Sequence, residues 1–460
     1  MTFMHYVGAA LVLLLITALG WLSGKRVLSA EDFYTGSRKA GAGIVAGSLA
    51  GSLAGGASTV GTAQLAFTHG IAAWWYTLGA GIGCVVLCCV FTKPFYASGI
   101  STLPRIFARE YGERASTAAT VLTSAGNFLT VAAQVLAGVA LVSAVSGAPA
   151  WFSGCLVVAL MLAYVVFGGV WGTGIVGMLK SALLALAIGG CALLALYLEG
   201  GLQAFTAQLP KEQFFSLFSR GVARETGAVL SVIVGLVSTQ AYFQSVICAR
   251  SLKLSRAGAL LCAAFMPVIG AAGVLVGLYM RIHHPEISPG AALPLFILEK
   301  LPPLLAGTVL ATLLVTLVGT GAGISLGISS MFCNDIYKVY INRNADDRTM
   351  LFAARVIVVV VLCLSLATLV NPDSLILNWT FLSMGLRGAV CFAPLCATLF
   401  FPGRVSAHFA LISMLAAPVG MVLGKILLPA GLDPLFPGIA ASLCVLLLGV
   451  AAGNKKLRAG

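Results

Sequence analysis

Four features of this chain carry chemistry that an apolar helix does not need. Arg387, in the stretch FLSMGLRGAVCFAP, lies near the middle of an apolar run that contains no acid. A guanidinium at bilayer depth costs roughly 2.5–3.5 kcal/mol. It must therefore face a wet cavity, backbone carbonyls or an anionic ligand, unless the run is shifted far enough for it to reach the interface. Thr312, Thr316 and Thr320 recur every four residues, which lines three hydroxyls along one helix stripe. Hydroxyl oxygens suit a hard cation such as sodium, but threonine can also satisfy itself on the i−4 carbonyl. Gln240 and Gln244 lie one turn apart and face the same way. Buried amides of this kind pair with a neighbouring helix or with a substrate. Lys180 stands about two turns into an apolar run and reads as a structural residue that snorkels to the nearer surface.

The stretch GAGIVAGSLAGSLAGGASTVGTAQLAF has glycine at 41, 43, 47, 51, 55, 56 and 61. Each glycine costs about 1 kcal/mol against alanine inside a helix. Two readings follow: a packing face of small residues, or a helix unwound near the bilayer centre whose freed carbonyls coordinate a cation.

These residues have to be positioned by membrane helices. Of 460 residues only 41 are charged (27 Lys and Arg, 14 Asp and Glu), and 60% are hydrophobic. Soluble domains carry about 25% charge. That excludes a soluble enzyme, a nucleic-acid binder and a disordered chain. Thirteen apolar spans are expected at roughly 4–23, 42–69, 71–93, 116–146, 150–168, 173–198, 225–249, 256–283, 304–333, 350–370, 374–401, 406–428 and 434–453. The first reads as a signal-anchor, because Met1 to Tyr6 holds no Lys or Arg while Lys25 and Arg26 follow the run. With the N-terminus outside and loops alternating, eighteen loop cations fall inside and only Lys211, Arg220, Arg224, Arg281 and Lys300 outside. The stretches around 199–224 and 284–303 have room for short interfacial helices.

All twelve cysteines lie in or beside apolar runs, so neither a disulfide framework nor a zinc site is implied. The spans place no Asp or Glu deep in the bilayer, so a carboxylate proton relay is not expected. Of the five histidines, His5, His69, His283 and His284 lie at or beyond span ends and His408 near the start of one, with no metal pair at i,i+4 spacing. No catalytic constellation of an intramembrane enzyme is recognisable.

The loop EDFYTGSRKAG, Glu31 to Gly41, resembles the entrance motif of the sodium:solute symporter family. The segment Asp335-Ile336-Tyr337-Lys338 resembles that family's D-[IL]-Y-K end, and Gln240, Gln244 and Arg250 its glutamine-rich exit. The resemblance covers essentially the whole chain and is strongest to uncharacterised bacterial members. It implies an all-α, leucine-transporter-like fold in one membrane domain: a leading helix 4–23, a first five-helix repeat 42–198, an inverted second repeat 225–401 and two trailing helices 406–453. The helices that open the two repeats would be discontinuous, with the solute between them.

By the same resemblance, sodium would be held by Gly51, Ala54, Thr316, Gly319 and Thr320. Gly319 departs from the family pattern, which has serine there; Leu53 and Ser245 depart too, from Asp or Asn and from Arg. Aligned solute positions are Ser58, Val232, Gly235 and Leu236, with Gln240 and Arg387 beside them; Trp74 and Trp75 are candidate gates. The implied protein is not an enzyme and has no organic cofactor. It is a sodium-coupled symporter of a small solute that bears a carboxylate, in the bacterial inner membrane, with its C-terminus cytoplasmic, as a monomer or loose oligomer. Lipid is its surroundings and nucleic acid is no partner. A proton-coupled or uncoupled carrier on the same fold remains open, as does a membrane-embedded solute sensor.

Overall fold

The computed structural model describes residues 2–24, 38–371, 374–428 and 431–458. Among these residues the fold is helical without a named strand. Of the entrance motif, Glu31 to Ser37 lie outside the described residues. The leading helix is α1 (Phe3–Gly24). The glycine-rich span is two pieces, α2 (Ala42–Leu53) and α3 (Thr62–His69), with a π turn Ala57–Gly61 leading into α3. A 3-10 corner, Gly70–Trp74, then turns the chain into α4 (Trp75–Val86) and α5 (Thr92–Ser98). Gly70 has φ +64°, and a Cβ there would lie 1.9 Å from the Phe214 carbonyl oxygen, so only glycine fits the corner.

The chain continues with α6 (Leu103–Tyr111), α7 (Glu113–Ser146) and the apolar segments α8 (Ala150–Val165) and α9 (Gly177–Glu199). The loop expected between the last two is instead helical, because Ala150–Glu199 is one helical run. Its glycines are tolerated in a helix, and no proline interrupts it. The next long pair is α10 (Val222–Val237) and α11 (Gln240–Ile247), bent by 50° at their junction. The chain then runs through α12 (Leu252–His283), α13 (Ala292–Lys300), α14 (Pro303–Phe332), α15 (Asp347–Ser365) and α16 (Ile376–Phe400). The trailing pair is α17 (Ala407–Leu427) and α18 (Leu435–Arg458). Short helices Leu202–Gln208 and Lys211–Phe214, with α13, fill the two long connections as expected.

Burial separates centre from rim. The span Pro303–Ile341, which holds α14, is 83% buried over its most apolar window, whereas Arg348–Val370 is 17% buried. The threonine stripe is therefore on the central helix. The two broken helices meet at one end. Ala40 N–H donates to the Cys248 carbonyl at 3.1 Å, and Arg250 N–H donates to the Ala40 carbonyl at 2.9 Å. Nearby, Ser48 on α2 and Ser245 on α11 share a hydroxyl hydrogen bond of 2.7 Å. Ser245, where arginine is the family's habit, thus has a defined partner on the other broken helix.

Candidate cation and solute site

The glycine-rich stretch does two things in different halves: α2 packs through its small residues, and the helix is unwound just beyond it. In α2, Gly47 and Gly51 form a packing face. A Cβ on Gly51 would lie 3.0 Å from the Gly177 Cα of α9, and one on Gly177 would lie 2.5 Å from the Gly47 carbonyl oxygen. Backbone meets backbone there. At Ala54 to Gly56 the helix is interrupted: Ala54 is extended, with ψ 91°. Gly56 N–H donates to Gln134 Oε1 of α7 at 2.7 Å. A Cβ on Gly55 would lie 2.6 Å from that same oxygen, and one on Gly56 2.3 Å from the Ala137 Cβ.

Carbonyls at the break find side-chain donors. The Gly55 carbonyl accepts from the Ser58 and Thr59 hydroxyls, each at 2.9 Å. The Leu53 carbonyl accepts from the Tyr76 hydroxyl at 3.5 Å. Unpaired backbone in hydrocarbon costs several kcal/mol per group, so this accounting is what lets the break persist.

The residues expected to hold sodium do converge, and a side chain lies at their focus. Lys180 is buried and does not snorkel. Its Nζ donates to the Gly51 carbonyl at 2.5 Å, the Thr316 carbonyl at 3.2 Å and Thr320 Oγ1 at 3.0 Å. The Thr320 hydroxyl is also within reach of the Gly51, Ala54 and Thr316 carbonyls, at 3.0, 3.4 and 2.9 Å. A Cβ on Gly319 would lie 3.6 Å from Lys180 Nζ and 3.5 Å from the Tyr164 hydroxyl. Gly51, Thr316 and Thr320 therefore hold an ammonium, Gly319 borders it, and Ala54 is joined to it through the Thr320 hydroxyl. An ammonium has three donors and needs three acceptors, which is what it has here. A sodium ion beside it is disfavoured: unit charges roughly 4 Å apart repel by about 4 kcal/mol at an effective dielectric near 20. The residues present do not fit a sodium ion at this point while Lys180 stays where it is.

Arg387 of α16 is fully buried, and no oxygen among its hydrogen-bond partners belongs to a carboxylate. Nη1 donates to Asn127 Oδ1 at 2.6 Å and Thr239 Oγ1 at 2.8 Å. Nη2 donates to Thr130 Oγ1 at 3.2 Å and Ser383 Oγ at 3.1 Å, and Nε to the Ser383 carbonyl at 3.2 Å. Its stem crosses Gly126, where a Cβ would lie 2.6 Å from Arg387 Cγ. Thr239 is the N-cap of α11, in the two-residue junction that follows α10. Arg387 thus sits on the bend of the second broken helix, joining it to α7.

The other expected solute residues do not share one place. Ser58 is buried in the π turn just after the first break. Gly235 serves packing: a Cβ there would lie 2.5 Å from the Met384 carbonyl oxygen. Gln240 is committed to backbone, accepting from Leu103 N–H at 2.7 Å and donating to the Ser101 carbonyl at 3.3 Å. The tryptophans are pinned by their indole N–H groups, Trp74 on the Pro267 carbonyl and Trp75 on the Leu217 carbonyl, each at 2.7 Å. Asp335 of the D-I-Y-K end is buried although it lies near a span end. It accepts from Arg105 Nε at 3.0 Å, Thr102 at 3.3 Å and Thr120 at 3.2 Å, tying the end of the central span to α6 and α7.

Comparison with known proteins agrees with this architecture. The family model described as "Sodium:solute symporter family" matches residues 33–417. No curated protein matches the chain. A Na+-coupled sialic acid symporter, solved substrate-bound and outward-open, superposes with TM-score 0.82 at 18% identity over 98% of both chains. Inward-facing Mhp1 gives 0.57 at 14% identity over 93% of both. A mutant of the Eremococcus coleocola manganese transporter gives 0.52 at 12% identity, over 94% of this chain and 97% of that one. At these identities the structures speak to the fold, which is leucine-transporter-like.

Proposed function

The chain belongs to the sodium:solute symporter family, and from that premise we propose that it is a secondary carrier that moves a small, carboxylate-bearing organic solute by alternating access. Membership assigns it to membrane transport rather than catalysis, with sodium as the family's coupling ion. The solute class rests on one observation: Arg387 brings an uncompensated positive charge to the α10–α11 bend. Buried cations in membrane proteins mark ligand pathways when no acid balances them. A carboxylate held between the two breaks would balance this one.

The breaks allow the repeats to rock about the solute, and the loop charges favour a chain whose N-terminus is outside. One charge crossing 100 mV is worth about 2.3 kcal/mol, enough to drive accumulation when a cation accompanies the solute. The test begins with purified protein and a panel of small carboxylates, in which a ligand raises the melting temperature. Uptake of that ligand is then measured in proteoliposomes. Arg387→Ala should lower uptake about 100-fold, the effect of roughly 2.7 kcal/mol of lost charge pairing. Undiminished uptake by a folded Arg387→Ala protein sinks the carboxylate reading.

A second reading is favoured by Lys180: a carrier on the same fold that runs without sodium between α2 and α14.

A further inference from the structure

We propose that Lys180 is a built-in cation, whose ammonium on α9 takes the place of a sodium ion between α2 and α14. Three independent features lead there. The first is the donor set. Lys180 Nζ reaches the Gly51 carbonyl of α2, the Thr316 carbonyl of α14 and Thr320 Oγ1, at 2.5, 3.2 and 3.0 Å. These oxygens come from both helices, so one positive charge joins α2 to α14 beside the direct Thr320–Gly51 hydrogen bond. Hydroxyl and carbonyl oxygens that accept from an ammonium are also ligands for a hard monovalent cation, and the two compete for one point.

The second feature is how the lysine gets there. An unpaired lysine in an apolar run ordinarily points its head toward water. Here α9 lies against α2 through Gly47, Gly51 and Gly177, close enough that a methyl group at Gly177 would strike the Gly47 carbonyl oxygen at 2.5 Å. Lys180 stands one turn beyond Gly177, and this contact aims its side chain at the Gly51 carbonyl. Its ammonium is out of reach of solvent, with the residue 4% exposed.

The third is Gly319. With no side chain at 319, the space beside the ammonium is bounded by the Tyr164 hydroxyl. A serine there would add an oxygen to the ring of ligands, and its absence matches a site already filled by a nitrogen. Among the described residues no carboxylate is paired with Lys180, so nothing in the cage supplies the negative charge that two adjacent cations would need.

The consequence is functional. A tethered cation cannot leave with the solute, so this position does not draw on a sodium gradient. The inference goes beyond the carrier reading and does not depend on which solute is carried. The experiment uses sodium itself as probe. Purified full-length protein is melted in NaCl and in choline chloride at equal ionic strength. Wild type should melt at the same temperature in both, or with a sodium increment that Thr320→Val does not alter. Lys180→Ala empties the cage, and should melt lower in choline and recover by roughly 3 °C in NaCl. Adding Thr320→Val to Lys180→Ala should abolish that recovery. If Lys180→Ala does not yield folded protein, Lys180→Met, which keeps the stem and loses the charge, takes its place. A sodium increment in wild type that Thr320→Val removes overturns the proposal, because sodium would then bind with Lys180 present. A folded Lys180→Ala with no sodium response also overturns it, because the cage would then not be a cation site. Neither outcome bears on whether the protein transports, which the uptake assay reads separately.

Discussion

Two buried cations lie at the two broken helices, and they are solvated in different ways. Lys180 touches the first helix just before its break, through a backbone carbonyl of α2, a backbone carbonyl of α14 and one hydroxyl. Arg387 touches the second at its bend, with four of its five N–H groups on side-chain oxygens of α7, α11's leading residue and α16. An ammonium is a compact point charge, and an ion can stand in for it. A guanidinium is a planar fork with five donors in fixed directions, which no simple ion can imitate. The first site is therefore suited to a joint that a cation closes. The second is suited to holding a bend while offering charge to a ligand.

The comparison can be broken at several points. Arg387→Lys has the largest expected effect. It keeps the charge but loses the fork, so uptake of the identified carboxylate should fall about tenfold, an order less than for Arg387→Ala. Equal loss in both variants would mean that shape, not charge, is what the bend requires. Gly56→Ala comes next. Its methyl group meets the Ala137 Cβ at 2.3 Å, and the overpacking should destabilise by about 1–3 kcal/mol, read as a lower melting temperature. Thr239→Val removes one acceptor from Arg387 and should cost about 1–3 kcal/mol, with a larger fractional loss of uptake than Gly56→Ala at matched stability. The smallest effect on transport belongs to Gln240→Leu. Among the described residues its amide serves the backbone of Ser101 and Leu103, so uptake should stay within about twofold while stability drops by about 1–3 kcal/mol.

Much of this was legible in the residues, for identifiable reasons. The glycine-rich stretch pointed to either a packing face or a break, and composition alone did not choose between them, since the paired glycines inside Ala150–Glu199 leave that helix unbroken. The i,i+4 threonines announce the oxygen stripe, since helical geometry alone puts them on one face. Arg387 was singled out because an unbalanced cation in an apolar run needs an explanation. The misreading of Lys180 has an equally physical cause. Snorkelling depends on which way a helix faces and how closely its neighbour approaches, and neither is written in local sequence. The glycine spacing of 47 and 51 against 177 held that information only as a pair, across more than a hundred residues. The backbone contacts of Gln240 and Gly235 were hidden for a related reason: a small or amide side chain reads the same whether it lines a cavity or meets a backbone.

The short parallel pairing of Ala40 with Cys248 and Arg250, together with the Ser48–Ser245 hydroxyl pair, has a mechanical meaning. It fastens α2 to α11, the near halves of both broken helices, at one end of the bundle. Halves joined this way behave as one lever with two hinges, at Ala54–Gly56 and at Ser238–Thr239. A displacement at one hinge is passed to the other through these bonds.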